Sequence, residues 1–241
     1  LARSHAELSR RIEVDLQKHS DPFYSDTDLQ GGSYSLRAIP QAYQSIISIF
    51  KLFEETINTE IAAIDDNPLI LPEERTELHG ANFHGLPIAL TSDSLNLALV
   101  SIANISLARI DRMLKKTHSK LPWFLATGEE GLFLGMHGIQ FTAAGIGAEL
   151  RNLADPVSVD QIPTNNDNQD FVSLGLQSTN KGLEMVFLLS YVLAVEYMVA
   201  AQGIWLTLGQ EKNHAAEKLL SPVTLSAYEQ ILKIYTPKKS E

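Results

Sequence analysis

Apolar residues recur along this chain at helical spacing almost from end to end. Leu8, Ile12 and Leu16 fall at i, i+4 and i+8, and Asp21-Pro22 closes that stripe because proline brings no backbone N–H to a continuing helix. A loop follows over 23–33. Ile46, Ile49, Phe50, Phe53 and Ile57 keep the helical period and predict a long helix from about Ser35 to Ile64. Asp65-Asp66-Asn67-Pro68 stops it, since the residue before proline is pushed out of the α region. Residues 71–85 read as a polar loop. A third long helix is expected from about Pro87 to Thr117, closed by Lys120-Leu121-Pro122, and a fourth from near Leu132 to Ala154. The fourth carries Gly135, Gly138, Gly145 and Gly147. Each glycine costs about 1 kcal/mol against alanine inside a helix, so they mark close approaches of neighbouring helices or a kink. A second polar loop covers 155–168. A fifth helix spans Asp170 to Gly209, a short piece lies near 211–219, and a last helix follows Pro222. The predicted architecture is all-α, a bundle of long helices forming a single helical domain over residues 1–241.

The stretch Val186 to Leu208 is apolar enough to suggest a membrane span, but Glu196 sits at its centre. That carboxylate would cost roughly 2.5–3.5 kcal/mol at a bilayer midplane, and Gln202 and Gly203 add polar character. A helix buried inside a bundle is the expectation.

Composition narrows the classes of function. Hydrophobic residues make up 44% and aromatics 7% of 241 residues, enough for a sizeable soluble core. The formal net charge is −10, which disfavours nucleic acid and anionic membranes as partners. The chain has no cysteine, so disulfides, thiolate nucleophiles and Cys-based zinc sites are excluded, in keeping with an expected cytoplasmic location. The opening Leu1-Ala2-Arg3 leads directly into a polar helical stretch with no signal peptide, and the missing initiator Met suggests a start inside a longer gene product.

Loops at helix ends are the natural carriers of chemistry in such a bundle. In Gly31-Gly32-Ser33-Tyr34-Ser35-Leu36-Arg37, a Tyr and an Arg three apart share one helix face. The guanidinium fork suits a carboxylate, and the phenol can donate or accept a proton; a plain capping segment with an exposed Arg is the other reading. Asp65-Asp66-Asn67-Pro68 pairs with His79-Gly80-Ala81-Asn82-Phe83-His84-Gly85. His79 and His84 are five apart and do not fit a helical zinc motif, leaving a surface loop with chance histidines or a metal site. Asn165-Asn166-Asp167-Asn168-Gln169-Asp170 reads locally as a helix N-cap, which does not exclude a site role. Glu211-x-x-His214 has di-iron spacing but no second copy, so no metal is expected.

Taken together and in this order, the loops resemble the histidine/phenylalanine/tyrosine ammonia-lyase and aminomutase superfamily. The matching stretches are Tyr34 to Gln41, Asp66 to Ile70, His79 to Pro87, Gln140 to Ala144, Leu153 to Asp160, Ile162 to Thr164 and Asn168 to Gly175. The resemblance implies an enzyme that eliminates ammonia from an L-amino acid such as Phe or Tyr through an electrophilic methylidene-imidazolone (MIO). That group forms from an internal Ala-Ser-Gly, which is absent here and would belong to a missing amino-terminal half together with a lid Tyr. The chain alone is therefore expected to be inactive, the carboxy-terminal portion of a homotetramer that shares its sites between subunits.

The resemblance also assigns roles residue by residue. Arg37 is similar to the Arg that grips the substrate carboxylate, and Tyr34 to the active-site Tyr beside the electrophile. Phe83 matches an aromatic shaping the pocket, and His137 falls at a variable side-chain-pocket position. Asn168 and Gln169 match the polar loop near the substrate amine and the electrophile. Gln169 stands where histidine-specific members usually carry Glu, which implies an aromatic substrate other than histidine. Gly31 departs from a usual Gln, with Gln30 adjacent. A 2,3-aminomutase, a histidine ammonia-lyase and a non-catalytic scaffold of the same fold are the alternatives.

Overall fold

A computed structural model describes residues 33–129, 131–209, 216 and 220–237. The stripe from Leu8 to Leu16, the glycines at 31 and 32, and Glu211 to His214 lie outside them. The elements in chain order are α1 (Tyr34–Arg37), α2 (Ile39–Ala62), strands β1 (Leu69–Leu71) and β2 (Thr76–Leu78), α3 (Leu86–Leu114), α4 (Lys116–Ser119), a 3-10 turn (Trp123–Leu125), α5 (His137–Leu153), α6 (Gly175–Thr207) and α7 (Pro222–Ile234). The long-helix architecture is as expected, with local corrections.

The segment 71–85 is not wholly a loop. Leu69–Leu71 pairs antiparallel with Thr76–Leu78, in the register Leu69↔Leu78, Ile70↔Glu77, Leu71↔Thr76. The third helix breaks at Lys115, with Lys120 in the left-handed region closing the short α4. The fourth helix starts at His137 because Gly135 takes a φ of +46°, and a Cβ there would meet the Phe124 carbonyl at 2.5 Å. Gly138 and Gly145 face open space, so the close approaches expected of them occur elsewhere. One is at Gly175, where a Cβ would lie 3.2 Å from the Gly85 carbonyl; another is at Gly182, where it would lie 2.7 Å from Asn96 Oδ1. The last helix is capped as its sequence suggests: the Ser221 side chain accepts the Thr224 N–H, and Pro222 occupies the first turn.

Two helices, α3 and α6, are long and apolar enough to cross a membrane by length and composition. Burial of α6 is one-sided rather than complete. Met185, Leu189, Val192, Val195 and Val199 are buried, whereas Leu176, Leu183, Phe187, Tyr191 and Tyr197 are exposed.

The chain divides into two compact units. Unit 1 comprises 1–45, 101–149 and 188–241, and unit 2 comprises 46–100 and 150–187. In unit 1 the second halves of α3 and α6 bury Ile110, Leu114, Val192, Val195 and Val199. Within that apolar setting Arg109 and Glu196 form a two-pronged ion pair, Nη2 to Oε2 at 2.9 Å with Nε to Oε1 beside it, both side chains 17% exposed. Desolvation pulls the Arg109 pKa down, but Glu196 and the Tyr43 phenol outweigh it and hold the guanidinium more firmly charged than usual. A further cluster in unit 1 packs Tyr228 of α7 against Ala201, Leu208 and Ala216.

In unit 2 the N-terminal portions of α3 and α6 are joined by small polar side chains. Asp93 Oδ2 accepts the Ser158 N–H at 2.9 Å, and the Ser178 hydroxyl donates to Asp93 Oδ1. Asn96 Nδ2 donates to the Ser178 carbonyl at 3.1 Å, and Ser92 pairs with Thr179 at 3.2 Å.

Candidate functional site

Unit 2 gathers three of the loops that the sequence singled out. The Asp66-Asn67-Pro68 stop is tied to the histidine loop twice: Gly80 N–H donates to Asn67 Oδ1 at 3.1 Å, and Asn82 Nδ2 to the Ile64 carbonyl at 3.4 Å. The β1–β2 hairpin bridges these two stretches, which explains how an interrupted motif becomes one piece of surface.

The histidine loop is in turn fastened to the loop before α6. The His84 ring stacks on Phe171 with centroids 5.3 Å apart and planes at 9°. Its Nε2 lies 3.2 Å from the Phe171 carbonyl, an acceptor only, so this bond requires the proton on Nε2. Phe83, one residue earlier, is exposed. His79 instead sits 3.5 Å from Glu77 on the exposed hairpin. Among the described residues no three His, Asp or Glu side chains could hold a metal ion.

The Asn-rich segment is a turn and not a helix cap. Thr164 and Gln169 exchange backbone bonds, Thr164 N–H to the Gln169 carbonyl at 2.8 Å and Gln169 N–H to the Thr164 carbonyl at 3.2 Å. Between them Asn165, Asn166 and Asp167 take φ values of 52°, 58° and 64°. Asn and Asp tolerate this left-handed region better than other side chains, which is why the run exists. The helix begins further on at Gly175, behind Leu174 at a φ of 53°. Asn168 and Gln169 thus sit on the exposed closing side of a tight turn, with Thr164 Oγ1 3.4 Å from Gln169 Oε1.

Residues absent from the sequence-based expectation hold this loop. Gln161 braces its two sides, Oε1 accepting the Val172 N–H at 3.0 Å and Nε2 donating to the Ser158 carbonyl at 2.8 Å. Asp93 anchors both ends of the stretch 158–178 to α3. Burial pushes its carboxyl up, but the Ser178 hydroxyl and the bonds from Ser158 and Val157 outweigh that and leave it below its ordinary 3.8. The sequence carries a signal for Asp93. Ala89, Ser92, Asp93, Asn96, Leu99 and Ala103 follow the helical repeat on one buried stripe, so the polar members had to find partners.

Unit 1 carries the other expected residues. Tyr34 and Arg37 lie on the single turn α1, exposed, with the Arg37 guanidinium carbon 4.4 Å from the Tyr34 ring centroid. The shared face expected from their spacing is present. His137 opens α5 between two rings, edge-on to Phe124 at 4.5 Å and to Phe141 at 4.9 Å. Phe124 and Leu125 both have positive φ, at 54° and 55°, a strained conformation for apolar residues. Beside them a cavity of about 370 Å³ is lined by Leu125, Met136, Ile139, Met198, Gln202 and Tyr235, where Tyr235 donates to Gln202 Oε1 at 2.9 Å. Of the six expected site residues, then, Tyr34, Arg37 and His137 fall in unit 1, and Phe83, Asn168 and Gln169 in unit 2.

Comparison with known proteins gives a consistent result. The family profile described as "Aromatic amino acid lyase" matches residues 4–232. A histidine ammonia-lyase of Caldanaerobacter subterraneus subsp. tengcongensis is 37% identical over 187 residues, 78% of this chain and 37% of its own length. An MIO-dependent tyrosine 2,3-aminomutase of Streptomyces globisporus is 35% identical over 235 residues, 97% of this chain and 42% of its own length. The crystal structure of tyrosine aminomutase from Streptomyces globisporus superposes with a TM-score of 0.82 at 33% identity, covering 98% of this chain and 43% of that one. The chain spans about two fifths of the length of these curated relatives.

Proposed function

This chain belongs to the aromatic amino acid lyase family, and on that premise we propose that the whole protein eliminates ammonia from an L-aromatic amino acid such as Phe or Tyr. The observation that carries the reading is the exposed pair on α1, a guanidinium held over a phenol within one helical turn. Arg37 binds the substrate carboxylate through paired N–H donors, and Tyr34 holds or moves a proton at its phenol oxygen. The amides of Asn168 and Gln169 donate and accept hydrogen bonds around the substrate amine. Phe83 and His137 each supply an aromatic face that can pack against a substrate ring where it stands.

The residues of the chain fit a methylidene-imidazolone. Two side-chain amides stand exposed on a braced turn, on a loop stacked against the one that bears an exposed Phe. When formed, that group supplies an electron sink for the amino acid; the Ala-Ser-Gly that gives rise to it is not in this sequence, and we assign it to the rest of the gene product. The exposed apolar positions along α6, from Leu176 to Tyr197, support assembly with further copies, a homotetramer in this reading. A cytoplasmic location accords with the lack of cysteine.

A second reading, a tyrosine 2,3-aminomutase, is favoured by the match to such an enzyme over 97% of the chain. Incubation of the whole gene product with L-Phe, L-Tyr and L-His, followed by product analysis, separates the cases. An aryl acrylate with free ammonia is the expected outcome, and a β-amino acid would favour the aminomutase. The acrylate of histidine alone would overturn the substrate assignment, and no product from any of the three would overturn the enzyme reading.

A further inference from the structure

The Asp93 carboxylate is buried at 5% exposure in the second turn of α3, and it faces no cation among its hydrogen-bond partners. Its two oxygens accept from two points 20 residues apart, the Ser158 backbone and the Ser178 hydroxyl, which bound the stretch bearing Asn168 and Gln169. The same helix begins one residue after Gly85, the end of the histidine loop with Phe83. We propose that Asp93 is a positioning residue, which sets the turn with Asn168 and Gln169 in register with the Phe83 loop by holding Ser158 and Ser178 together. This rests on the functional reading above for its effect on turnover, but not for its effect on the loop.

Three observations converge on it. Gln161 links Ser158 to Val172, so a tie at Ser158 is transmitted across the loop to the residue next to Phe171. Phe171 stacks on His84, which follows Phe83 directly. The loop also holds left-handed residues at 165–167 and at Leu174, a conformation that persists only where surrounding bonds over-determine it. Removing the carboxylate frees Ser158 N–H and releases one end of that chain of contacts.

Hydrogen bonding, and not charge, is the requirement, and this makes the proposal testable. An Asn at 93 can still accept the Ser158 N–H and donate its amide to Ser178, whose hydroxyl then turns to the Ala89 carbonyl 3.3 Å away. The experiment uses the whole gene product as wild type, Asp93→Ala, Asp93→Asn and Ser178→Ala, with hydrogen exchange over 158–174 and steady-state kinetics on L-Phe and L-Tyr. In Asp93→Ala the loop amides should lose protection and kcat should fall about 10- to 100-fold, with KM changed less than about threefold. Asp93→Asn should restore most of both.

Unchanged protection in Asp93→Ala would overturn the proposal, as would an Asp93→Asn variant as impaired as the alanine variant, or lost protection with kcat intact. Should Asp93→Ala fail to fold, Ser178→Ala removes one tie only and should move both readouts the same way by less; no movement in either would overturn it. A wild type that turns over no amino acid defeats the functional reading, while the exchange data still decide the role of Asp93 in placing the loop.

Discussion

The helices α3 and α6 are joined differently in the two units. In unit 1 they bury branched aliphatic side chains around the Arg109–Glu196 ion pair. In unit 2 they meet through Ser92, Asp93, Asn96, Ser178, Gly175 and Gly182, hydrogen-bonded to named partners except at Asn96 Oδ1, which is buried without one. Apolar packing is non-directional and supplies stability, whereas hydrogen-bonded small residues fix distances to a few tenths of an ångström. The loops that carry candidate chemistry in unit 2 grow from the second kind of contact. One pair of helices thus divides stability from placement along its length.

The sharpest way to break this comparison is at the ion pair. Glu196→Ala leaves the Arg109 guanidinium with its main partner gone in an apolar setting, and should cost about 3–5 kcal/mol in urea unfolding. A loss below about 1 kcal/mol would mean that solvent or Tyr43 compensates the charge. Next in size is Gly182→Ala, whose new Cβ meets Asn96 Oδ1 at 2.7 Å; a loss of about 1–3 kcal/mol is expected, largely relieved in the double variant with Asn96→Ala. Failure of that relief would show that the close approach is set by backbone and not by the amide.

Smaller effects test the turn itself. Asn166→Val places a branched residue at a φ of 58° and should cost about 1–2 kcal/mol, while Asn166→Gly should stay within a few tenths. The smallest effect is on acid stability. Because the Asp93 pKa is lowered by folding, its contribution is present above its ordinary 3.8 and is lost as pH falls through the lower folded value. Acid titration of wild type beside Asp93→Asn should therefore show the wild type losing more stability below pH 3.8, and parallel curves would contradict the assigned bonds.

Much of this was legible in the sequence, and the rest failed for identifiable reasons. The stripes from Ile46 to Ile57 and the Asp65–Pro68 stop gave α2 to within two residues at its C-terminal end, because periodicity and proline act locally. The hairpin went unseen because its strands have three residues each and β2 is exposed throughout, so no alternation exists to read. The run Asn165–Asp170 reads as a cap in the sequence because the same side-chain chemistry serves caps and left-handed turns. Positive φ at Phe124, Leu125 and Leu174 runs against the preference of those residues and is imposed by tertiary contacts. The shared face of Tyr34 and Arg37 follows from their spacing alone, whereas the roles of Asp93 and Gln161 depend on partners far away in the sequence.

The division of labour along α3 and α6 is tested most directly by turnover of an aromatic amino acid in two variants of the whole gene product, Glu196→Ala and Asp93→Ala. Each is assayed well below its own unfolding midpoint. The account predicts that Glu196→Ala stays within about threefold of wild type despite its larger loss of stability, while Asp93→Ala falls about 10- to 100-fold. The reverse order, with turnover following stability, would contradict it.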